Sequence, residues 1–201
     1  MPNDGKGFYK NALPNEIPQM SVGLLLDESG SMCSCDRCTY ARSSAIILYD
    51  FCKALHIPVT VYGHSTSGSS VELYSYAEFE SIDNDDKYRL MDIAARGSNR
   101  DGAALRFVAE QLVKRPEEVK ILILVSDGQP AAPGYYGSAA EEDLRGIKQE
   151  YRRKGVLFIA AAIGEDKQNI ERIYGDSFMD ITDLNQLPVK LTAAVKRHMR
   201  V

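Results

Sequence analysis

SVGLLLDESGSMCSCDRC, Ser21–Cys38, is an apolar run that stops at an acidic, serine-rich turn and then meets three cysteines. Ser21 to Leu26 shows little polar alternation, the pattern of a strand covered on both faces. Two later runs have the same character, Val119–Val125 and Val156–Ile163. Between the runs, apolar residues recur at steps of three and four: Ala41, Ala45, Leu48, Cys52 and Leu55, then Ala104, Val108 and Leu112, then Leu144, Ile147 and Tyr151. Such stripes are the inward faces of helices laid on a sheet. Strands alternating with helices of this length predict parallel strands joined by crossovers.

The intervening segments complete the layout. Ile57–Tyr62 predicts a fourth strand, and Val71–Tyr76 an antiparallel edge strand returning beside it, with His64–Ser70 as the hairpin loop. Asp85–Arg96 predicts a short helix carrying Tyr88, Leu90 and Met91. Phe178–Ile181 predicts a last short strand, and Pro188 opens a terminal helix with Leu191, Val195 and Met199 inward. The expected fold is α/β: a Rossmann-like, doubly wound, mostly parallel six-stranded sheet with one antiparallel edge strand and helices on both faces. A chain of 201 residues, 44% hydrophobic, suits a single core. One domain is therefore expected over 19–201, after a polar, proline-containing leader or linker over 1–18 that lacks the apolar segment of a signal peptide.

The net charge of −4 comes with no basic tract. Arg152-Arg153-Lys154 and Lys196-Arg197 fall in helix-like contexts and read as solvated faces, so nucleic acid is not an expected partner. No apolar run approaches the roughly 18 residues of a membrane span. Adjacent cysteines in such a chain are expected to be reduced, in the cytoplasm.

In open α/β sheets, ligands bind beyond the carboxyl ends of the strands where strand order reverses. Three turns fall at such places: Asp27-Glu28-Ser29-Gly30-Ser31, Ser98-Asn99-Arg100-Asp101-Gly102, and Ser126-Asp127-Gly128. Asp27, Ser29, Ser31 and Asp127, joined by Asn99 or Asp101, would offer an all-oxygen shell, which suits a hard cation such as Mg²⁺ or Mn²⁺, or else Ca²⁺. Gly30 lets Ser29 and Ser31 aim at one spot. Asp101 either ligates or caps the helix that follows. Glu28 either supports the ligands or faces water.

The spacing Asp27-x-Ser29-x-Ser31, then Asn99-x-Asp101-Gly102-x-Ala104-Leu105, then Ser126-Asp127-Gly128 resembles the metal-ion-dependent adhesion site (MIDAS) of a von Willebrand factor type A domain. The likeness runs from about Met20 to Met199. Within that family, the phrases DESGSM, YGHST, NRDGAAL and SDGQP most resemble the C-terminal domain shared by the cobaltochelatase large subunit and the nitric oxide reductase activation protein. The resemblance implies a Mg²⁺-dependent protein-binding module whose partner offers a carboxylate and belongs to an AAA+ ATPase complex, in metal chelation or enzyme maturation. The family's usual third loop reads Thr-x-Thr-Gly; here Asn99 and Asp101 hold those positions, and either one is the candidate ligand.

Cys33-x-Cys35-x-x-Cys38 offers three thiols, one short of the usual structural zinc set, and neither His56 nor His64 has the spacing to complete it. The favoured reading is a loop insertion with exposed, redox-sensitive thiols near Arg37 and Arg42. A Zn²⁺ centre would need a ligand from Asp36, a second chain or a partner. Cys52, on a helix stripe, reads as a small buried hydrophobe. His64 reads as a hydrogen-bonded histidine at a strand end, since no nucleophile accompanies it. Gln129–Gly137, rich in Gly and Pro, reads as a surface loop in which Tyr135 and Tyr136 either contact a partner or fold back on the sheet. A non-catalytic binding domain is the expectation, against two alternatives: a metal-dependent phosphoester hydrolase, and a zinc or redox sensor built on the cysteines.

Overall fold

The structure is a computed structural model that describes residues 19–81, 83, 85–128, 130–162, 167–181, 183, 186, 189–190 and 192–193. Eight strands and five α-helices follow in the order β1 (Met20–Asp27), α1 (Arg37–Ala54), β2 (Val59–Ser67), β3 (Ser70–Ala77), α2 (Asp86–Arg89), α3 (Asp101–Val113), β4 (Val119–Ser126), β5 (Ala131–Ala132), β6 (Tyr135–Tyr136), α4 (Gly137–Arg153), β7 (Val156–Ala162), α5 (Lys167–Tyr174) and β8 (Phe178–Asp180). The main sheet has six strands in the order β3-β2-β1-β4-β7-β8. Every pairing in it is parallel except β2 with the edge strand β3.

The period-two geometry of a strand explains how one sheet makes two cores. Val22, Leu24 and Leu26 of β1 join Ile121, Ile123 and Val125 of β4 on the face covered by α1, through Ala41, Ala45, Leu48 and Cys52. Leu25, Leu122 and Leu124 face the other way, against Ala104, Val108 and Leu112 of α3, with Leu144, Ile147 and Tyr151 of α4 and Ile170 and Ile173 of α5 beside them. Leu24, Leu25 and Leu26 are fully buried, each worth about 1.5–3 kcal/mol relative to exposure. Gly23 lets α3 lie directly on β1: a Cβ there would come within 2.8 Å of Val108 Cγ1 and 3.0 Å of Leu112 Cδ1.

Strand order reverses between β1 and β4. The chain runs outward from β1 through β2 to β3, then returns to lay β4 on the other side of β1. Leu26 is in register with Val125, and Asp27 with His64 of β2, so the ends of three strands share one rim.

Several local expectations need correction. The hairpin turn is tighter than the His64–Ser70 loop, because β2 runs on to Ser67 and β3 starts at Ser70 around Gly68, which has φ 60°. His64 is consequently an interior β2 residue and not a strand-end one. The helix expected over Asp85–Arg96 is α2 followed by a 3₁₀ turn over Leu90–Asp92; Leu90 is buried while Tyr88 and Met91 are exposed. Leu55 leaves the α1 stripe because it is the C-cap, 55% exposed. The leader over 1–18 lies outside the described residues, as do Ile163 and, in the expected terminal helix, Pro188, Leu191, Val195 and Met199. Among the described residues no helix is long and apolar enough to cross a membrane.

Candidate metal centre

Leu26 in register with Val125 puts Asp27 and Ser126 at neighbouring strand ends, and hydrogen bonds then gather the rim. Asp27 Oδ1 accepts the Ser29 backbone N–H at 2.8 Å. Its Oδ2 accepts from Ser126 Oγ at 2.9 Å and from Asn99 Nδ2 at 3.0 Å. The Ser29 and Ser31 hydroxyls lie 2.9 Å apart, and Ser31 Oγ donates to Asp127 Oδ1 at 3.2 Å. Asp27, Ser29 and Asp127 are buried, whereas Gly30 and Ser31 are exposed, so the cluster opens to solvent on the side of the first loop. A 3₁₀ turn over Gly30–Cys33, with the Gly30 N–H donating to Gly97 O at 2.6 Å, holds that loop in place.

The third loop is tied down from two sides. Ser98 pairs with Thr66 at the end of β2 in a two-bond bridge, 2.7 and 3.0 Å. Asn99 spends both ends of its amide: the NH₂ goes to Asp27, and the carbonyl accepts the Ala131 N–H at 2.5 Å. Asn99 therefore bridges the first loop to the small β5–β6 hairpin. Arg100 steadies the same hairpin by donating to Pro133 O at 2.6 Å.

Asp101 points elsewhere. It is the first residue of α3, and its Oδ1 stands 3.1 Å from Nε2 of His64, which is fully buried. The distance is that of an ion pair, without the alignment of a hydrogen bond. Burial disfavours the charged imidazole, but Asp101, with Asp27 and Glu28 behind it, outweighs burial and raises the His64 pKa above 6.5. Burial raises Asp101 too, and the two groups titrate as a unit that keeps its proton where a free histidine would lose it. Asp101 is thus engaged with His64 and does not cap the helix.

Glu28, next to Asp27, turns the opposite way and faces neither water nor the rim oxygens. It is 1% exposed, accepts from Tyr76 Oη at 2.5 Å and from Arg96 Nε at 2.6 Å, and its backbone carbonyl accepts the Arg96 N–H. Burial raises its pKa, opposed by the bonds from Tyr76 and Arg96. Gly63 makes the room: a Cβ there would fall 1.9 Å from Glu28 Oε1. The Arg96 guanidinium lies 4.0 Å from the Tyr74 ring centroid.

The cysteines do not gather. Cys33 and Cys35 are exposed, Cys38 is half-buried and donates to Ile93 O at 3.5 Å, and Cys52 is buried, its thiol pushed up to about 12 by desolvation. Among the described residues no three His, Cys, Asp or Glu side chains are grouped to hold a metal ion. Any ion at the rim would rest on two carboxylates plus serine hydroxyls, a hard-oxygen set that suits Mg²⁺ better than Zn²⁺. Tyr135 is folded back, donating to Asp143 Oδ2 at 2.7 Å, while Tyr136 stands 69% exposed on the hairpin. Sequence reasoning missed one neighbour of the rim. Arg37, which it placed near the thiols, donates from Nη1 to Asp127 Oδ2 at 2.9 Å.

A mostly parallel sheet with one antiparallel edge, flanked by helices and carrying its polar site at the strand-order reversal, is the von Willebrand factor type A fold. A von Willebrand factor type A protein from Catenulispora acidiphila matches it with TM-score 0.58 at 18% identity, covering 85% of this chain and 40% of that one. Proximal thread matrix protein 1 from the mussel byssus matches with TM-score 0.60 at 21% identity, covering 89% and 47%. Residues 88–199 match the family model described as the cobalamin biosynthesis protein CobT VWA domain, and the chain belongs to that family. It is 26% identical over 204 residues to the uncharacterised protein YojO of Bacillus subtilis, covering 94% of this chain and 32% of YojO. It is 34% identical over 97 residues to the protein NorD of Brucella suis, covering 47% of this chain and 15% of NorD. The chain thus spans a third or less of the length of these relatives.

Proposed function

We propose that this domain is a divalent-metal-dependent protein-binding module without catalysis of its own, accessory to an AAA+ ATPase in metal chelation or enzyme maturation. The observation that carries the reading is the continuous chain of contacts from Asp27 through Ser29 and Ser31 to Asp127, linking two turns nearly a hundred residues apart at the strand-order reversal. Asp27, Ser29, Ser31 and Asp127 would hold the ion. When bound, a Mg²⁺ ion supplies a Lewis-acidic position for an oxygen from outside the chain. Ser126 and Asn99 hold the Asp27 carboxylate in orientation, and Asn99 ties that orientation to the hairpin bearing Tyr136. Engaging Asp101 with His64 keeps a third negative charge off the rim, which favours an acidic partner residue. The membership in the CobT-type family and the partial likeness to NorD support the maturation role.

Calorimetric titration with Mg²⁺ tests the reading. One ion per chain is expected for the wild type and none for Asp27→Ala; a wild type indifferent to Mg²⁺ would overturn it.

A further inference from the structure

Arg37 begins α1, directly after the loop that carries Cys33 and Cys35. The two residues before it, Cys35 at φ 53° and Asp36 at φ 57°, both take the left-handed conformation that residues with a Cβ seldom adopt. The bend lies immediately before Arg37, whose guanidinium reaches the rim. There Nη1 donates to Asp127 Oδ2 at 2.9 Å and reaches Ser31 O at 3.4 Å, with the side chain only 14% exposed. The chain's own cation therefore sits on one of the two carboxylates that would hold the ion.

Building on the metal-dependent reading above, we propose that Arg37 sets the site's affinity for a divalent cation by competing with it for Asp127. The charge balance makes the argument. Asp27 and Asp127 bring two negative charges, and Arg37 cancels one. A dication entering the site must either displace the guanidinium from Asp127 Oδ2 or sit beside it against like-charge repulsion, and both weaken binding. With Arg37 retained nearby, the loaded rim carries net positive charge, which favours a partner carboxylate; without it, the loaded rim is neutral. The segment between the first loop and α1 thereby acquires a role that does not require its thiols to bind anything.

Mn²⁺ titration followed by electron paramagnetic resonance tests this on wild type, Arg37→Gln and Arg37→Lys, with thermal unfolding as the check of folding. Arg37→Gln should bind Mn²⁺ about five- to tenfold more tightly, the effect of one partly screened charge, and Arg37→Lys should stay near wild type. Equal or weaker binding by Arg37→Gln, with the wild type binding Mn²⁺, overturns the proposal. If no variant binds, it is the metal-dependent reading itself that falls. Should Arg37→Gln fail to fold, ¹⁵N NMR of the wild type decides: the Arg37 Nε–H resonance should move in step with Mg²⁺ loading, and a resonance unmoved at saturation overturns the proposal.

Discussion

Asp27 and Glu28 are neighbours in sequence and opposites in environment. Asp27 faces the rim, where its carboxylate meets only neutral donors: the Ser29 N–H, the Ser126 hydroxyl and the Asn99 amide. Glu28 faces the sheet and is matched by the Arg96 guanidinium. The same division separates Asp127, at the rim, from Asp101, engaged with His64 behind it. Four carboxylates lie within reach of the strand ends: at the front Asp27 is held by neutral donors and Asp127 is shared with Arg37, while Glu28 and Asp101 are matched by Arg96 and His64 behind them. Asp27, held by neutral donors, keeps its full charge for an ion, Asp127 offers its charge in competition with Arg37, and the two carboxylates matched behind the rim are part of the scaffold.

The back pair is where substitution should cost most. His64→Ala leaves Asp101 buried without its cation and should destabilise the fold by about 4 kcal/mol, as other broken buried pairs do; urea denaturation measures it, and a loss below 1 kcal/mol would erase the distinction between back and front. The front should respond in affinity and not in stability. Asp27→Asn keeps the shape and loses the charge, so Mn²⁺ binding should weaken about a hundredfold, equivalent to about 2.7 kcal/mol, with a much smaller change in unfolding midpoint. Arg96→Ala should cost about 2 kcal/mol, less than a fully buried pair because Arg96 is 36% exposed and its loss lets water reach Glu28.

An exposed pair sharpens the contrast. Asp176, 57% exposed, is bonded to Lys148 and Arg152, which hold its carboxyl down to about 2 from 3.8. A depressed acid contributes stability that is present above 3.8 and lost as pH falls toward 2. Asp176→Asn should cost less than about 1 kcal/mol at pH 7, and the gap from wild type should close by pH 2 in pH-dependent thermal unfolding.

The front was more legible in the sequence than the back, for a physical reason. Strand-end position follows from where an apolar run stops, so Leu26 followed by Asp27 and Val125 followed by Ser126-Asp127 announce two neighbouring turns before any coordinates exist. Which side chain pairs with which depends on register and on the direction each residue points. Glu28 follows Asp27 directly, one residue past the end of β1, and Gly63, on β2, gives no hint that it clears space for a carboxylate. Asn99 and Asp101 stay undivided in the sequence for the same reason: the amide's carbonyl accepts from Ala131, thirty-two residues on, and Asp101 finds a histidine on β2. Arg37 was read through its neighbours, the cysteines, when its partner was Asp127, ninety residues away. Helix ends suffered most where local signals were weak, as after Arg89, where the chain tightens into a 3₁₀ turn.

The division of labour at the strand ends is tested most directly by following a Mg²⁺ titration through ¹⁵N amide and histidine-ring NMR spectra of the wild type. The account predicts saturable shifts concentrated at the amides of Ser29, Ser31 and Gly128, with the His64 ring signals nearly still. Shifts centred on His64 and Asp101, or a spectrum untouched by millimolar-range Mg²⁺, would contradict it.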